Sequence, residues 1–184
     1  AKENFYLPLS KNKFHDHHNL LFRRIFGGTS LNKEDILISL LALMNGDNRI
    51  KTSIFLNSFK SSNIEYEKFK DKIRYYLEFN VITIPSVFIS DGDLLVDLEV
   101  KHELTRYANE IYNEDNLKLF IQRIFDGFED NCRRNLYGSE MDLKQLGGVN
   151  LNLDEAQEIL KPYDYIFNFL TLRKMFGRSF MGVN

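Results

Sequence analysis

The feature that most constrains the fold is a single change of hydrophobic period in an otherwise helical chain. Apolar residues recur every three or four positions along most of the 184 residues. Residues 81–100 break that rhythm with Val81-Ile82-Thr83-Ile84-Pro85, then Ser86-Val87-Phe88-Ile89, then the alternating Leu94-Leu95-Val96-Asp97-Leu98-Glu99-Val100. Such β-branched, aromatic and alternating runs predict strands, and Ser90-Asp91-Gly92-Asp93 between them predicts a tight turn. The expected fold class is therefore mainly α with a small β-hairpin, the helices lying on both sides of it.

Before the hairpin, three helices are expected over residues 32–45, 51–60 and 65–79. The first has Asn32 as a plausible N-cap, Glu34 and Asp35 in its first turn, and an apolar face of Ile36, Leu37, Leu40, Leu41 and Met44. Asn45-Gly46-Asp47 ends it, and Ser61-Ser62-Asn63 breaks the chain after the second. The third carries Tyr66, Phe69, Ile73, Tyr76 and Leu77 on one face. A helix resumes near Leu104 with Tyr107, Ala108 and Ile111, and Leu117, Phe120, Ile121, Ile124, Phe125, Phe128 and Cys132 form a further stripe. Residues 137–153 read as looser chain with Gly138, Gly147 and Gly148. Asp154 is a plausible cap for a helix starting at Glu155. Pro162 interrupts that helix or opens the last one, whose residues 163–176 are apolar nearly all round. Residues 1–13 read as an arm, and 14–26 as a helix carrying Phe14, Leu21, Phe22, Ile25 and Phe26.

This order of helix, helix, helix, hairpin and long helix resembles a winged-helix DNA-binding domain over about residues 31–112. The third helix takes the place of that family's recognition helix, Asn80-Val81-Ile82-Thr83-Ile84 the strand that leaves it, and the hairpin turning at Asp91-Gly92 the wing. The Leu104-Thr105 pair opening a helix resembles the wing exit of MarR-like regulators. The resemblance implies a fold with a winged-helix core and N- and C-terminal helical extensions. It divides the chain into an arm and helix (1–30), the winged-helix domain (31–112) and a C-terminal helical region (113–184) that packs or oligomerises. It implies double-stranded DNA as partner, a role in transcription regulation or another DNA transaction, and a homodimer.

Local charge is read against that expectation. The chain as a whole has a net charge of −2, which excludes a histone-like polycation. Residues 49–76 nevertheless hold Arg49, Lys51, Lys60, Lys68, Lys70, Lys72 and Arg74 against Glu65, Glu67 and Asp71, a surplus of four positive charges. These seven cations are the candidate DNA-binding residues, since phosphate contact needs such side chains. Tyr75 is a candidate to stack or pack. The plainer reading is a solvated helix face. The arm and first helix add Lys2, Lys11, Lys13, Arg23 and Arg24 against Glu3 and Asp16, and could contact backbone or minor groove. The hairpin is acidic instead: Asp91, Asp93, Asp97, Glu99 and Glu103 stand against Lys101, and phosphates repel such a tip. With the acidic stretch 104–160 and the apolar last helix, this favours a second function, a winged-helix adaptor that holds a protein partner through its C-terminal helices.

Enzymatic readings rest on fewer residues. Asp97, Glu99 and Lys101 share a strand face, and Glu99-Val100-Lys101 resembles half of the PD-(D/E)xK nuclease signature, in which carboxylates hold Mg²⁺. The upstream Pro-Asp of that signature reads Pro85-Ser86 here. His15-Asp16-His17-His18 has the side chains for Zn²⁺ or Ni²⁺, but neighbours on a helix point different ways. No phosphate loop or nucleophile elbow is present, so no catalytic residue, metal or cofactor is expected. A single cysteine, Cys132, excludes an intramolecular disulfide and multi-cysteine zinc; on its periodic stripe it reads as a buried thiol. No apolar run reaches a membrane span and residues 1–30 show no signal-peptide pattern, so no membrane partner is expected and the cytoplasm is the expected location.

Overall fold

A computed structural model of the chain describes residues 33–44, 46–84, 102, 105–106, 109–111, 113–137 and 148–180. It is mainly α-helical with a small antiparallel two-stranded β element. Helix α1 spans Lys33–Leu43 and α2 spans Asn48–Asn57. Strand β1 (Asn63–Glu65) leads into α3 (Tyr66–Glu78), and a π-helical turn, Phe79–Thr83, extends it. Helix α4 runs from Glu114 to Cys132 and also ends in a π-helical turn, Arg133–Tyr137. Strand β2 (Asn150–Asn152), α5 (Leu153–Leu160), a 3₁₀ segment (Lys161–Phe167) and α6 (Phe169–Phe180) complete the described fold.

Local chemistry sets the helix starts. Asp47, expected to help end the first helix, instead caps the second: its carboxylate accepts from the Arg49 amide at 2.8 Å, so α2 starts three residues earlier than the pattern suggested. Asn113 caps α4 by accepting from the Asn116 amide at 2.9 Å. Asn152, not Asp154, caps α5. Its side chain accepts from the Glu155 amide at 2.9 Å while the Glu155 carboxylate accepts from the Asn152 amide at 2.8 Å, a reciprocal capping box.

The two strands come from distant parts of the chain. Ile64 faces Leu151, both buried, while Asn63 pairs with Asn152 and Glu65 with Asn150 on the exposed side. The Tyr66 amide then donates to the Val149 carbonyl at 3.0 Å. This ladder clamps the start of α3 against the chain entering α5. The C-terminal elements thereby enter the same core as the N-terminal helices. Phe69 of α3 is fully buried and lies beside Phe55, Phe59, Tyr66 and Phe128, with ring centroids 5.7–6.4 Å away. Phe167 packs against Phe55 at 5.3 Å and Tyr76 at 5.1 Å, and Phe120 of α4 meets Phe176 of α6 at 5.2 Å. One continuous hydrophobic cluster runs from Ile38 to Phe176.

Two expectations about the chain path are corrected. The run Val81–Ile84, expected as a strand, is helical through Ile84. Phe79, Asn80, Val81 and Ile84 are buried there, and the Asn80 side-chain Nδ2 donates back to the Tyr76 carbonyl at 2.7 Å, so core burial overrides β-propensity. The last apolar segment is not one helix over 163–176. Pro162 sits in the first turn of the 3₁₀ segment, and Asn168 breaks the path and caps α6 by accepting from the Thr171 amide at 2.9 Å. Helix α6 buries Leu172 and Phe176 and exposes Lys174, Met175 and Arg178, so it is two-faced rather than apolar all round. Thr105, Arg106, Asn109 and Glu110 are helical and Ile111 is buried, as expected of the helix resuming near Leu104, and His102, expected to precede that helix, is helical as well. Cys132 is buried as expected. The arm and helix of 1–30, the histidine cluster, the hairpin residues 85–100, Lys101, Leu104, Tyr107, Ala108 and residues 138–147 lie outside the described residues.

Candidate nucleic-acid interface

The seven cations that the sequence nominates occupy very different environments. Lys51 is 4% exposed, and burial lowers its pKa below the ordinary lysine value. It lies on the inward face of α2 with Thr52, Phe55 and Leu56, which removes it from any phosphate-facing surface. Lys70 pairs with Glu67 at 2.9 Å and its ammonium lies over the rings of Tyr66 and Phe125. Arg74 pairs with Asp71 at 2.6 Å and also lies over Phe125. These two cations fasten α3 to α4, and their charge is largely answered within the fold.

Lys72 is likewise engaged, but at a different edge. Its ammonium lies 2.9 Å from the Glu34 carboxylate of α1. It donates to the Ser58 hydroxyl at 3.4 Å and the Ser58 carbonyl at 3.5 Å, and it sits over the Phe59 ring at 4.2 Å. One side chain thus ties together α1, the end of α2 and α3. Arg49, Lys60 and Lys68 remain. All three are exposed, and none makes an ion pair among the described residues.

Lys60 and Lys68 flank Lys72. Lys68 precedes it by one turn on α3, and helical side chains lean toward the N-terminal turn, which brings the two ammonium groups to the same side. Lys60 follows two residues after Ser58, which Lys72 contacts. Lys72 touches Glu34, whose pKa is lowered: the hydrogen bond from Lys72 contributes most, and the charges of Lys72, Lys60 and Lys68 add to it against the opposing effect of burial. Lys60 also has a φ of 53°, the left-handed region in which a helix end normally places glycine. A residue with a Cβ costs roughly 1 kcal/mol or more there.

The outer face of α3 does not read as a base-reading surface. Its exposed residues, Lys68, Asp71, Arg74 and Glu78, alternate in sign. Tyr75, a candidate for stacking, is half-buried and its hydroxyl is bonded to the Ser39 hydroxyl at 2.9 Å. Burial raises its pKa above the ordinary tyrosine value. The useful cations therefore form an edge, with Lys60 beyond the end of α2 and Lys68 at the start of α3, and Arg49 apart at the start of α2, rather than a helix face. Glu34, Ser58 and Phe59 belong to this edge and were not among the candidates. Glu34 was legible only as an acid in a first helical turn, because its contact with Lys72 crosses from one helix to another.

No group of three histidine, cysteine, aspartate or glutamate side chains that could hold a metal occurs among the described residues. No described helix is long and apolar enough to cross a membrane. No family model matches the chain, and neither does any curated protein or solved structure.

Proposed function

We propose that this chain is a non-enzymatic DNA-binding protein of winged-helix type that grips the phosphate backbone of duplex DNA through Arg49, Lys60 and Lys68. One observation carries the reading: Lys60, exposed and unpaired among the described residues, holds a left-handed backbone conformation that glycine would adopt without strain. A cation kept at a strained position beside Lys68 and Lys72 fits a surface selected for charge. Arg49 stands at the other end of α2, about 15 Å away at the helical rise, a span of several phosphates. Within this reading, backbone contacts position the protein, and α3 contributes through Lys68 rather than through base readout. Regulation of transcription and pairing of two copies belong to the same proposal.

The test is Lys60→Gly. Relief of the positive φ should raise the melting temperature, while loss of the cation should weaken duplex binding in fluorescence anisotropy. Lys60→Glu with Lys68→Glu should weaken it further. Unchanged affinity in both variants overturns the reading.

A second reading has its own observation. Leu37, Leu43, Met44 and Ile50 are exposed around the turn from α1 to α2, with Ile50 at 59%. An apolar rim of this kind suits a protein partner, and it lies on α1 and α2 rather than on the C-terminal helices where the sequence placed an adaptor's partner. Leu43→Ser with Ile50→Ser, which removes the apolar surface without adding charge beside Arg49, should leave DNA binding intact and abolish partner capture if the adaptor reading holds.

A further inference from the structure

Glu34 is an acid placed inside a cluster of cations. Its carboxylate lies 2.9 Å from the Lys72 ammonium, and the Glu34 side chain is 35% exposed against 12% for Lys72. Lys72 is held from the other sides by Ser58 and the Phe59 ring, so its ammonium has one direction left for a strong anionic partner, the one Glu34 fills. Lys68, one turn before Lys72 on α3, and Lys60, two residues after Ser58, are exposed and near enough for their charges to act on Glu34. A carboxylate paired with Lys72 and within the field of Lys60 and Lys68 presents the charge and oxygens that a phosphodiester would present there.

We propose that the Lys60–Lys68–Lys72 cluster is a phosphate site of the DNA backbone and that Glu34 occupies it as a built-in competitor in the free protein. This rests on the DNA-binding reading. Phosphate from the duplex displaces the Glu34 carboxylate from Lys72, and the freed ammonium, still seated on Ser58, completes the site. The ligand class is a phosphodiester of duplex DNA. The work of breaking the internal pair on binding lowers the affinity of the unaltered chain, and the cluster becomes a site that discriminates against weak, isolated anions in favour of a polyanion carrying several phosphates at once.

The experiment measures binding of a mixed-sequence duplex by fluorescence anisotropy from 50 to 200 mM salt, for the full chain and for Glu34→Gln. Glutamine keeps the shape and removes the charge. In the unaltered chain the displaced carboxylate retains a cation and offsets the Lys72 contact; its removal adds one net phosphate contact, so the slope of log affinity on log salt should steepen by about 0.9, with an affinity gain of about threefold at 50 mM. Glu158→Gln, which removes the same charge from the exposed pair with Lys161 on α5, controls for overall charge and should shift neither the slope nor the affinity comparably. Lys72→Met added to Glu34→Gln should cancel the gain. Equal effects of Glu34→Gln and Glu158→Gln, or a Glu34→Gln gain that survives Lys72→Met, overturn the competitor role while leaving DNA binding intact. Absence of salt-dependent binding by the unaltered chain removes the DNA reading itself. Should Glu34→Gln melt far below the unaltered chain, Glu34→Asp, which shortens the reach to Lys72 and keeps the charge, should also raise affinity, and no gain there counts against the proposal.

Discussion

Phe69→Ala tests whether the N- and C-terminal elements share one core. Phe69 is fully buried between Phe55 of α2, Phe59 just beyond it, Tyr66 of α3 and Phe128 of α4, with Phe128 at 5.7 Å. Truncating a buried phenylalanine costs about 3–5 kcal/mol, from lost transfer free energy and from the cavity left behind. Four ring contacts are lost at once, each worth about 0.5–1.5 kcal/mol beyond area, though they overlap with the first term. An effect near 4 kcal/mol is therefore expected. For a chain of this size that lowers the melting temperature by about 8–16 °C. Urea unfolding should be followed by far-ultraviolet circular dichroism and by the fluorescence of the nine tyrosines, Tyr66 and Tyr76 of the core among them. Both probes should move to lower urea as one coincident transition. A loss below about 1 kcal/mol, or an early transition in one probe with the other unmoved, would refute the shared core.

Three further outcomes follow from the packing. Gly127→Ala, which ordinarily strengthens a helix, should destabilise the protein, because a Cβ there collides with the Tyr163 hydroxyl; Gly127→Ala with Tyr163→Phe should recover only part of the loss, as Cζ would remain 2.7 Å away. Lys51→Met should be more stable than the unaltered chain at neutral pH. The folded-state pKa of Lys51 lies below its unfolded value, so its penalty is full at low pH and fades as pH rises through the folded pKa toward about 10.4; denaturation across pH should show the difference shrinking upward, and a constant difference would sink this account. Cys132, whose thiol is pushed up to about 11 by burial and then by Glu129 and Glu155, should resist an aromatic disulfide reagent in the native protein and react readily in guanidinium; fast native labelling would contradict its placement.

The helices were legible because long amphipathic stripes dominate their sequence. Tyr66, Phe69, Ile73, Tyr76 and Leu77 of α3, and Leu117 to Cys132 of α4, are buried as their spacing predicted. The strand pair was not legible. Asn63-Ile64-Glu65 and Asn150-Leu151-Asn152 each bury a single side chain, too short a pattern to stand out from a break and a loose loop. The Asn152-x-x-Glu155 capping box was a readable signal that would have moved the start of α5. Val81–Ile84 misled because β-branched residues fit a buried helical turn when the core surrounds them. Among the candidate cations, spacing could identify charge but not commitment. The partners of Lys70 and Arg74 at i−3 were visible in the sequence, whereas the burial of Lys51 and the Glu34 contact of Lys72 arise only from tertiary packing.

The central claim is that an edge of exposed cations on this chain holds DNA by its phosphates. Its most direct test is the salt dependence of duplex binding by the unaltered chain, measured by fluorescence anisotropy from 50 to 200 mM salt. Three net contacts, from Arg49, Lys60 and Lys68, predict a log–log slope of about −2.7 with intact DNA. No binding at 50 mM salt, or binding with a slope near zero, would contradict the claim.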